Sequence, residues 1–570
     1  TRTSEVFTFE LTSNPTWIGV KALPYLAEYP YDCTEQIANR LFANTLATRI
    51  IRSQPRIAEV FEQWRKDSNA LKSPLAVNET LKTALLEETP WVREAADESE
   101  QQARIATLFD IDRMASEQRS ALNKLVERQS GNGSFAWFPG GRPNRYITQY
   151  VVETLTRMDE LKAFSVADDQ ATTQLLDRSL TYLEGEMKKE YDNLMELREQ
   201  NPNGFKPGLS SVILHYLYVR SHWANRIKDR RAADALTFFS QLSETEWVNR
   251  GLYEQALMAV TFRNTNRAAL ATRVLVSLRE RALHNEKGMF WKYERSWNWN
   301  ALPLETHCRL MEAFQLIDPK PDERTALQQW LLLNKQTNRW ETTKATAAAV
   351  HALLIDADER LTSTERIDVK WSGLDKNAWQ PRLETAENSA EAGSGYYQVK
   401  FTGKEITPGL AEVRLRNKSQ VLAWGGLYHT YTEDIDKVNS SVQSPLKLDR
   451  QLFRRISTPA GQELENYGDG TTLTPGDRIT VRLTVTTDRD MEFVHLKDRR
   501  GSGLEPATTL SGYRYQDGLG FYFSPTDLAV NYFFDYLPRG TYLLEYDLFV
   551  VHRGEYSNGL SVIQSMYAPS

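Results

Sequence analysis

The sequence predicts a multidomain α and β protein: an α/α toroid inserted into a β-sandwich-like domain, then a separate C-terminal β-sandwich. Three observations predict it. The apolar period is two at the start, helical from Pro30 to about Leu354, and two again from about Arg366. The helical stretch carries a loose internal repeat, in which a Gly- or Asn-containing turn and an aromatic precede a Thr or Ser that opens an apolar helix. Finally, 570 residues at about 150 per domain leave room for three or four domains. The expected divisions are residues 1–24 for the first strands, 25–357 for the toroid, 358–437 for the rest of the first β domain, and 438–570 for the last sandwich.

Taken in order, Glu5 to Leu11 places Phe7, Phe9 and Leu11 on alternate positions, the pattern of a half-exposed strand. Gln36 to Arg52 carries Ile37, Leu41, Phe42, Leu46 and Ile50 on one helical stripe, with Pro55 just beyond its end. The repeat is read in SGNGSFAWFPGGRPNRYITQYVVETL, NPNGFKPGLSSVILHYLYV, NEKGMFWKYERSWNWNALPLETHCRLMEAF and NKQTNRWETTKATAAAVHALL. Repetition at tens of residues implies stacked helix pairs, as in an α/α toroid or solenoid, with the turns and their aromatics gathered at one end. From Arg366, RIDVKWSGL, GYYQVKFTG, AEVRLRN and VLAWGGLYHTYTE read as short strands. Asp434 to Pro445 reads as a linker. DRITVRLTVTT, MEFVHLKDR, GFYFSP, GTYLLEYDLFVVHRG and LSVIQSMYAPS form the second β block, with Tyr542, Leu544, Tyr546 and Leu548 on one face.

Composition removes several functions. With 69 Lys+Arg against 75 Asp+Glu there is no basic excess for nucleic acid. No apolar run approaches the roughly 20 residues of a membrane helix. The opening TRTSEVFTFELTSNP is polar and strand-like rather than a signal peptide, so the segment is expected to be cut from a longer precursor. Two cysteines exclude a disulfide framework and a zinc ribbon. The eight histidines contain no H-E-x-x-H and no i, i+4 pair, so no metal is expected. A prenyltransferase- or terpene-cyclase-like toroid would need a zinc set or a D-x-D-D, and neither is present. The acidic segments LLEETP, REAADESE and DID sit among Lys and Arg and read as solvated faces.

Cys33, in AEYPYDCTEQIANRLF, stands where a helix begins, with Gln36 three residues on. Taken alone, such a cysteine is most simply a small buried residue. The position also allows chemistry. A helix N-terminus favours a thiolate, and a thiolate that attacks the Gln36 carboxamide, with loss of ammonia, closes an internal thioester. Cys308 lies beside His307 on a helix, where adjacent residues point about 100° apart, so the two are not a catalytic pair and Cys308 reads as core.

Cys-Thr-Glu-Gln after Tyr-Pro-Tyr resembles the Cys-x-Glu-Gln thioester signature of the alpha-2-macroglobulin and complement family. RYITQYVVETL resembles that family's toroid helix, and the terminal QSMYAPS is similar to the ending of bacterial members. The likeness covers essentially the whole chain, as the C-terminal part of a bacterial alpha-2-macroglobulin. Asp32 departs from it, standing where the animal motif has Gly. The resemblance implies a thioester toroid and a C-terminal macroglobulin-type sandwich, and a single-use protease trap rather than an enzyme. It implies Cys33 as leaving thiolate and Gln36 as acyl donor, no cofactor beyond that bond, and His215 as a candidate to relay the acyl group. Implied partners are attacking proteases and envelope or peptidoglycan-synthesis proteins, with no nucleic acid. The chain would act as a periplasmic monomer, lipid-anchored in the precursor. A thioester needs a dry cover. Tyr29, Tyr31 and Trp137 are the nearby candidates, within a set of aromatics at the expected mouth that includes Phe138, Trp291, Trp297 and Trp299. Met566 and Tyr567 are candidates reaching back from the C-terminus. Two other readings stay open: a thioester adhesin that labels surfaces, and a toroidal enzyme in which Cys33 is merely structural.

Overall fold

The computed structural model describes residues 3–53, 55–66, 111–226, 230–293, 302–335, 339–363, 367–418, 421–434, 444–459, 461–467, 472–556 and 558–566. Two compact units divide the chain: residues 6–71 with 103–429, and residues 430–570 with 1–5 and 72–102. The acidic segments near residues 84–110, most of the expected linker, Trp297, Trp299 and Tyr567 lie outside the described residues.

In the first unit six helices form a ring. They are α3 (Thr34–Ser53), α6 (Arg145–Glu160), α8 (Ser211–His222), α10 (Leu252–Asn264), α12 (Pro303–Ile317) and α14 (Thr343–Leu354). Each packs on the next, and α14 returns to α3, which closes the circle. A second layer lies outside it. α4 (Pro55–Lys66) and α5 (Ile111–Arg128) pack on α3, α7 (Gln170–Gln200) on α6, α9 (Arg230–Glu246) on α7 and α8, α11 (Ala268–Glu280) on α10, and α13 (Pro321–Leu333) on α12. Because the chain alternates between inner and outer helices, the inner ones run parallel and their N-termini share one end. The helical part begins earlier than expected. α1 (Trp17–Lys21) and α2 (Leu23–Ala27) pack on α14, and Trp17, Val20, Leu23 and Leu26 join the toroid core. At five residues each they are too short to present a helical stripe. The helical region also contains a hairpin, β2 (Leu283–Asn285) with β3 (Gly288–Phe290).

The internal repeat has a physical cause. Gly133 has φ +88°, and a Cβ there would lie 2.1 Å from the Arg178 carbonyl of α7. Gly288 has φ +98°, and its Cβ would lie 2.1 Å from the Ala326 carbonyl of α13. Both glycines let a turn press against an outer helix in a backbone conformation that disfavours side chains. In two of the repeated segments the aromatic after the turn is tied to the next inner helix: Phe135 N–H donates to Thr148 Oγ1 at 2.9 Å, and Trp340 N–H to Thr346 Oγ1 at 3.0 Å.

The small β domain of this unit is built from both flanks of the toroid. β1 (Thr3–Thr12) lies between β5 (Tyr397–Thr402) and β7 (Trp424–Thr432) in one sheet. The antiparallel register sets Phe7, Phe9 and Leu11 opposite Phe401, Val399 and Tyr397, all buried. A second pair, β4 (Asp368–Trp371) with β6 (Val413–Arg416), contributes Val369 and Trp371 to the same core. That core also receives Trp379 and Leu383 from α16 (Lys376–Asn388), the helix after the short α15 (Asp358–Leu361). The short strands expected in this region are joined by this helix, which was not expected from the sequence. The helix is capped by the Asp375 carboxylate on Asn377 N–H, and its Pro381 sits six residues in.

The second unit is a sandwich of two five-stranded sheets. One orders as β12 (Leu504–Pro506), β16 (Gly540–Val550), β10 (Arg478–Thr487), β8 (Leu446–Thr458) and β9 (Gly461–Asn466). The other orders as β13 (Gly512–Gln516), β14 (Leu519–Pro525), β15 (Ala529–Leu537), β11 (Met491–Arg499) and β17 (Ser561–Ser565). Val481, Leu483, Phe521, Phe534, Leu544 and Leu548 fill the space between them. Among the described residues no helix is long and apolar enough to cross a membrane.

Candidate functional site

Cys33 immediately precedes α3, at the N-terminal end of the inner ring. The helix starts there because its first donors find partners in the Gly133 turn: Thr34 N–H donates to the Trp137 carbonyl at 3.0 Å and Thr34 Oγ1 to the Ala136 carbonyl at 2.6 Å. The Cys33 carbonyl accepts from Ile37 N–H at 3.0 Å. Gln36 folds back so that its Oε1 accepts from Cys33 N–H at 3.1 Å, half of a capping box. The carboxamide is thereby docked on the residue that bears the thiol, and Cys33 is 6% exposed.

The thiol faces a carboxylate. Cys33 Sγ donates to Glu35 Oε2 at 3.8 Å, while Glu35 Oε1 accepts from Asn39 Nδ2 at 2.6 Å and from Thr343 Oγ1 at 2.8 Å. Asn39 is oriented in turn by Tyr150, whose hydroxyl donates to its Oδ1 at 2.7 Å. Burial pushes the Cys33 thiol up, the Gln36 contact opposes this, and the charge of Glu35 adds to the rise. Desolvation thus opposes the thiolate that the helix end alone would favour. Burial also raises Glu35, against its bonds from Thr343 and Asn39 and the charge of Lys344.

Residues 29–32 form a strap clamped by three cations. Arg40 donates to the Tyr29 carbonyl at 2.8 Å and to Asp32 Oδ1 at 2.9 Å; Lys124 reaches Asp32 Oδ2 at 2.9 Å and Arg128 the Asp32 carbonyl at 2.6 Å. These contacts, Lys124 first, hold the Asp32 carboxyl below its usual range. Tyr29 is half-buried with its ring edge-on to Tyr25 at 5.4 Å, and Tyr31 is 67% exposed. Trp137, half-buried, stacks on Tyr146 at 6.2 Å, and Phe138 beside it is exposed. Trp291 is not at the mouth. It is core, donating its indole N–H to the Leu278 carbonyl at 2.8 Å and packing on Phe314 near the opposite end of α12. Met566 follows β17 in the second unit. It is buried, its N–H donates to the Phe493 carbonyl, and its sulfur accepts from Gln564 Nε2 at 3.5 Å.

Below the mouth the ring encloses charge. His215 Nε2 lies 2.8 Å from Glu153 Oε2, and Glu153 also receives Arg157 at 2.6 Å and Arg309. Arg309 pairs with Glu312 too, and Tyr218 donates to Glu312 at 2.8 Å. Burial alone would raise Glu153, but Arg157 and Arg309 hold it well below the usual range. Burial lowers His215 in spite of Glu153. This network was not anticipated from the sequence; its signal is the helical spacing of Glu153 with Arg157 and of Glu305, Arg309 and Glu312. Cys308 stands in mid-helix, buried, its thiol pushed far up by burial. His307 points elsewhere, donating to the Leu327 carbonyl at 2.9 Å and accepting from the Tyr293 hydroxyl at 2.6 Å. Among the described residues no group of three His, Cys, Asp or Glu is placed to hold a metal ion.

Residues 446–570 match the model of the bacterial alpha-2-macroglobulin MG10 domain. The resemblance is to bacterial alpha-2-macroglobulins. No curated protein matches the chain. Among solved structures, native alpha-2-macroglobulin from Escherichia coli, spanning domain MG7 to the C-terminus, is 14% identical, with 99% of this chain and 75% of that one covered and a TM-score of 0.39. Trypsin-activated alpha-2-macroglobulin from Escherichia coli is 13% identical over 99% of this chain and 33% of that one, with a TM-score of 0.42. Salmonella alpha-2-macroglobulin reacted with methylamine is 16% identical over 99% and 31%, with a TM-score of 0.33. The chain thus spans about a third of the length of those last two.

Proposed function

We propose that the chain is the C-terminal part of a bacterial alpha-2-macroglobulin and that it traps proteases through a thioester between Cys33 and Gln36. The observation that carries this is the Gln36 carboxamide docked on Cys33 N–H, beside a buried thiol at the start of an inner-ring helix. The MG10 match over residues 446–570 supports it independently. In the closing step Cys33 sulfur attacks Gln36 Cδ, the C–N bond breaks and ammonia leaves. In the capture step a protease lysine amine attacks the same carbon and the thiolate departs. The bond is spent once per molecule, so this is a trap rather than a turnover enzyme. An amine route is favoured over relay through His215, whose Nε2 is taken by Glu153.

The resting bond requires a cover, which we assign to Tyr29, Tyr31 and Trp137 near Cys33. The protein would work in the periplasm as a monomer, anchored by lipid in its precursor, with attacking proteases as covalent partners and envelope or peptidoglycan-synthesis proteins as further ones. Intact mass tests the central claim. The closed form is lighter than the sequence by about 17 Da, the ammonia lost, and methylamine then adds to Gln36 in peptide maps. An unmodified mass and no methylamine uptake would reject the reading.

A further inference from the structure

The sequence singles out Cys33 and Gln36, but the sulfur's hydrogen-bond partner is Glu35, one of the two residues between them. Glu35 is 7% exposed, and its two oxygens have different tasks. Oε1 is fixed by Asn39 Nδ2 and Thr343 Oγ1, donors from two different helices, with Asn39 itself set by the Tyr150 hydroxyl. Oε2 is the oxygen that receives the Cys33 thiol at 3.8 Å. A carboxylate positioned by two donors and directed at a neutral nucleophile is arranged for proton transfer.

Resting on the trap reading above, we propose that Glu35 is the general base and acid through which the Cys33–Gln36 thioester forms and is discharged. As Cys33 Sγ bonds to Gln36 Cδ, the thiol proton passes to Glu35 Oε2. The C–N bond then breaks, and the same proton goes to the departing nitrogen, which leaves as ammonia. In the discharge an incoming amine bonds to Cδ and gives a proton to Oε2; the C–S bond breaks and the proton returns to Cys33 Sγ. Both directions balance without a further reactant. Burial raises both partners, so the thiol stays protonated until Glu35 takes its proton, and the carboxyl is brought nearer to the pH at which it must work.

The groups that face Glu35 are Cys33, Lys344 and Thr343 of α14, Asn39, Tyr150 of α6 and Tyr25 of α2. The test is intact mass and initial methylamine uptake of the whole chain, measured from about pH 5 to pH 9, for wild type, Glu35→Gln and Thr343→Val. Wild type should carry the mass deficit, and its uptake per unit of unprotonated methylamine, with the amine's own ionisation divided out, should fall in acid as Glu35 is protonated. Glu35→Gln keeps the shape and should lower closure and uptake about a hundredfold, with the acid limb gone. Thr343→Val removes a bond that favours the ionised carboxylate, so its acid limb should move to higher pH. A purely structural role would change the amount of uptake without moving the limb. A closed wild type in which Glu35→Gln closes and reacts at the same rate, or in which Thr343→Val leaves the limb in place, overturns this assignment alone. A wild type that never closes overturns the trap reading and this assignment with it.

Discussion

Cys33 and Cys308 are both nearly inaccessible, at 6% and 4% exposure, and in both burial raises the thiol. They differ in what surrounds the sulfur. Cys308 sits in the middle of α12, where backbone donors are used within the helix and the nearest histidine, His307, turns away to Leu327. Cys33 sits one residue before α3, where the helix end leaves donors to be met by side chains, and Gln36 and Glu35 meet it there. Burial therefore does not separate the mid-helix cysteine from the one proposed to react. Position on the helix decides whether an electrophile and a base can share its surroundings.

The sharpest way to break this contrast is to remove each sulfur in turn. Cys33→Ala should abolish covalent methylamine uptake, while Cys308→Ala should keep it and lose only about 1 kcal/mol of stability. Uptake that survives Cys33→Ala in mass spectra would remove the contrast altogether.

The next largest effect belongs to the ring interior. Arg309→Met leaves Glu153 and Glu312 buried without their shared cation, and should cost about 3–5 kcal/mol in chemical or thermal unfolding. Protein that remains folded should still take up methylamine, because Arg309 belongs to the region of Cys308 and not to that of Cys33. A loss of uptake without a loss of stability would show that the two regions are not separable.

Much of this was legible beforehand, for reasons that can be assigned. The Cys-x-Glu-Gln spacing, the helical period and the alternation of Tyr542, Leu544, Tyr546 and Leu548 are local patterns, and the last appears in the structure as one inward face, buried at Leu544, Tyr546 and Leu548 and half-buried at Tyr542. What escaped lacks a local pattern. β15 is buried on both faces over Ala529–Phe534, so its residues do not alternate. The charges of Glu153 and Arg309 look like a solvated surface until the ring closes around them. Glu35 reads as one more motif residue until Thr343, some three hundred positions away, fixes its other oxygen.

The glycine repeat offers a smaller test with an internal control. Gly133→Ala forces a Cβ against the Arg178 carbonyl at positive φ and should cost about 1–3 kcal/mol. Gly131→Ala, two residues away with nothing within 4 Å of its Cβ, should be close to neutral. Since the Gly133 turn also supplies the carbonyls that start α3, its variant should raise uptake as well as lower stability. Equal melting curves for the two variants would leave the repeat without a physical cause.

The smallest effect concerns the residue that departs from the family motif. Asp32 is 43% exposed in its side chain, so its pairs with Arg40 and Lys124 contribute only a few tenths of a kcal/mol after screening by solvent, about 0.5 at most. Its carboxyl is held low by Lys124 and Arg40, so that contribution is complete above the ordinary value of 3.8 and is lost as pH falls through the lower folded value. The clamp is thus intact throughout neutral and mildly acidic conditions, and any acid limb in uptake belongs to another group. Salt is the variable that reaches it, because exposed pairs are screened. If the clamp steadies the Tyr29–Asp32 strap beside Cys33, Asp32→Asn should speed methylamine uptake roughly twofold, the equivalent of a few tenths of a kcal/mol. Added salt should then speed the wild type but not the variant. Arg40→Met, which releases the Tyr29 carbonyl as well, should exceed both. A wild type and an Asp32→Asn variant with the same salt dependence would mean that the strap is held by Arg40 and Arg128 through backbone carbonyls alone, with the carboxylate a bystander.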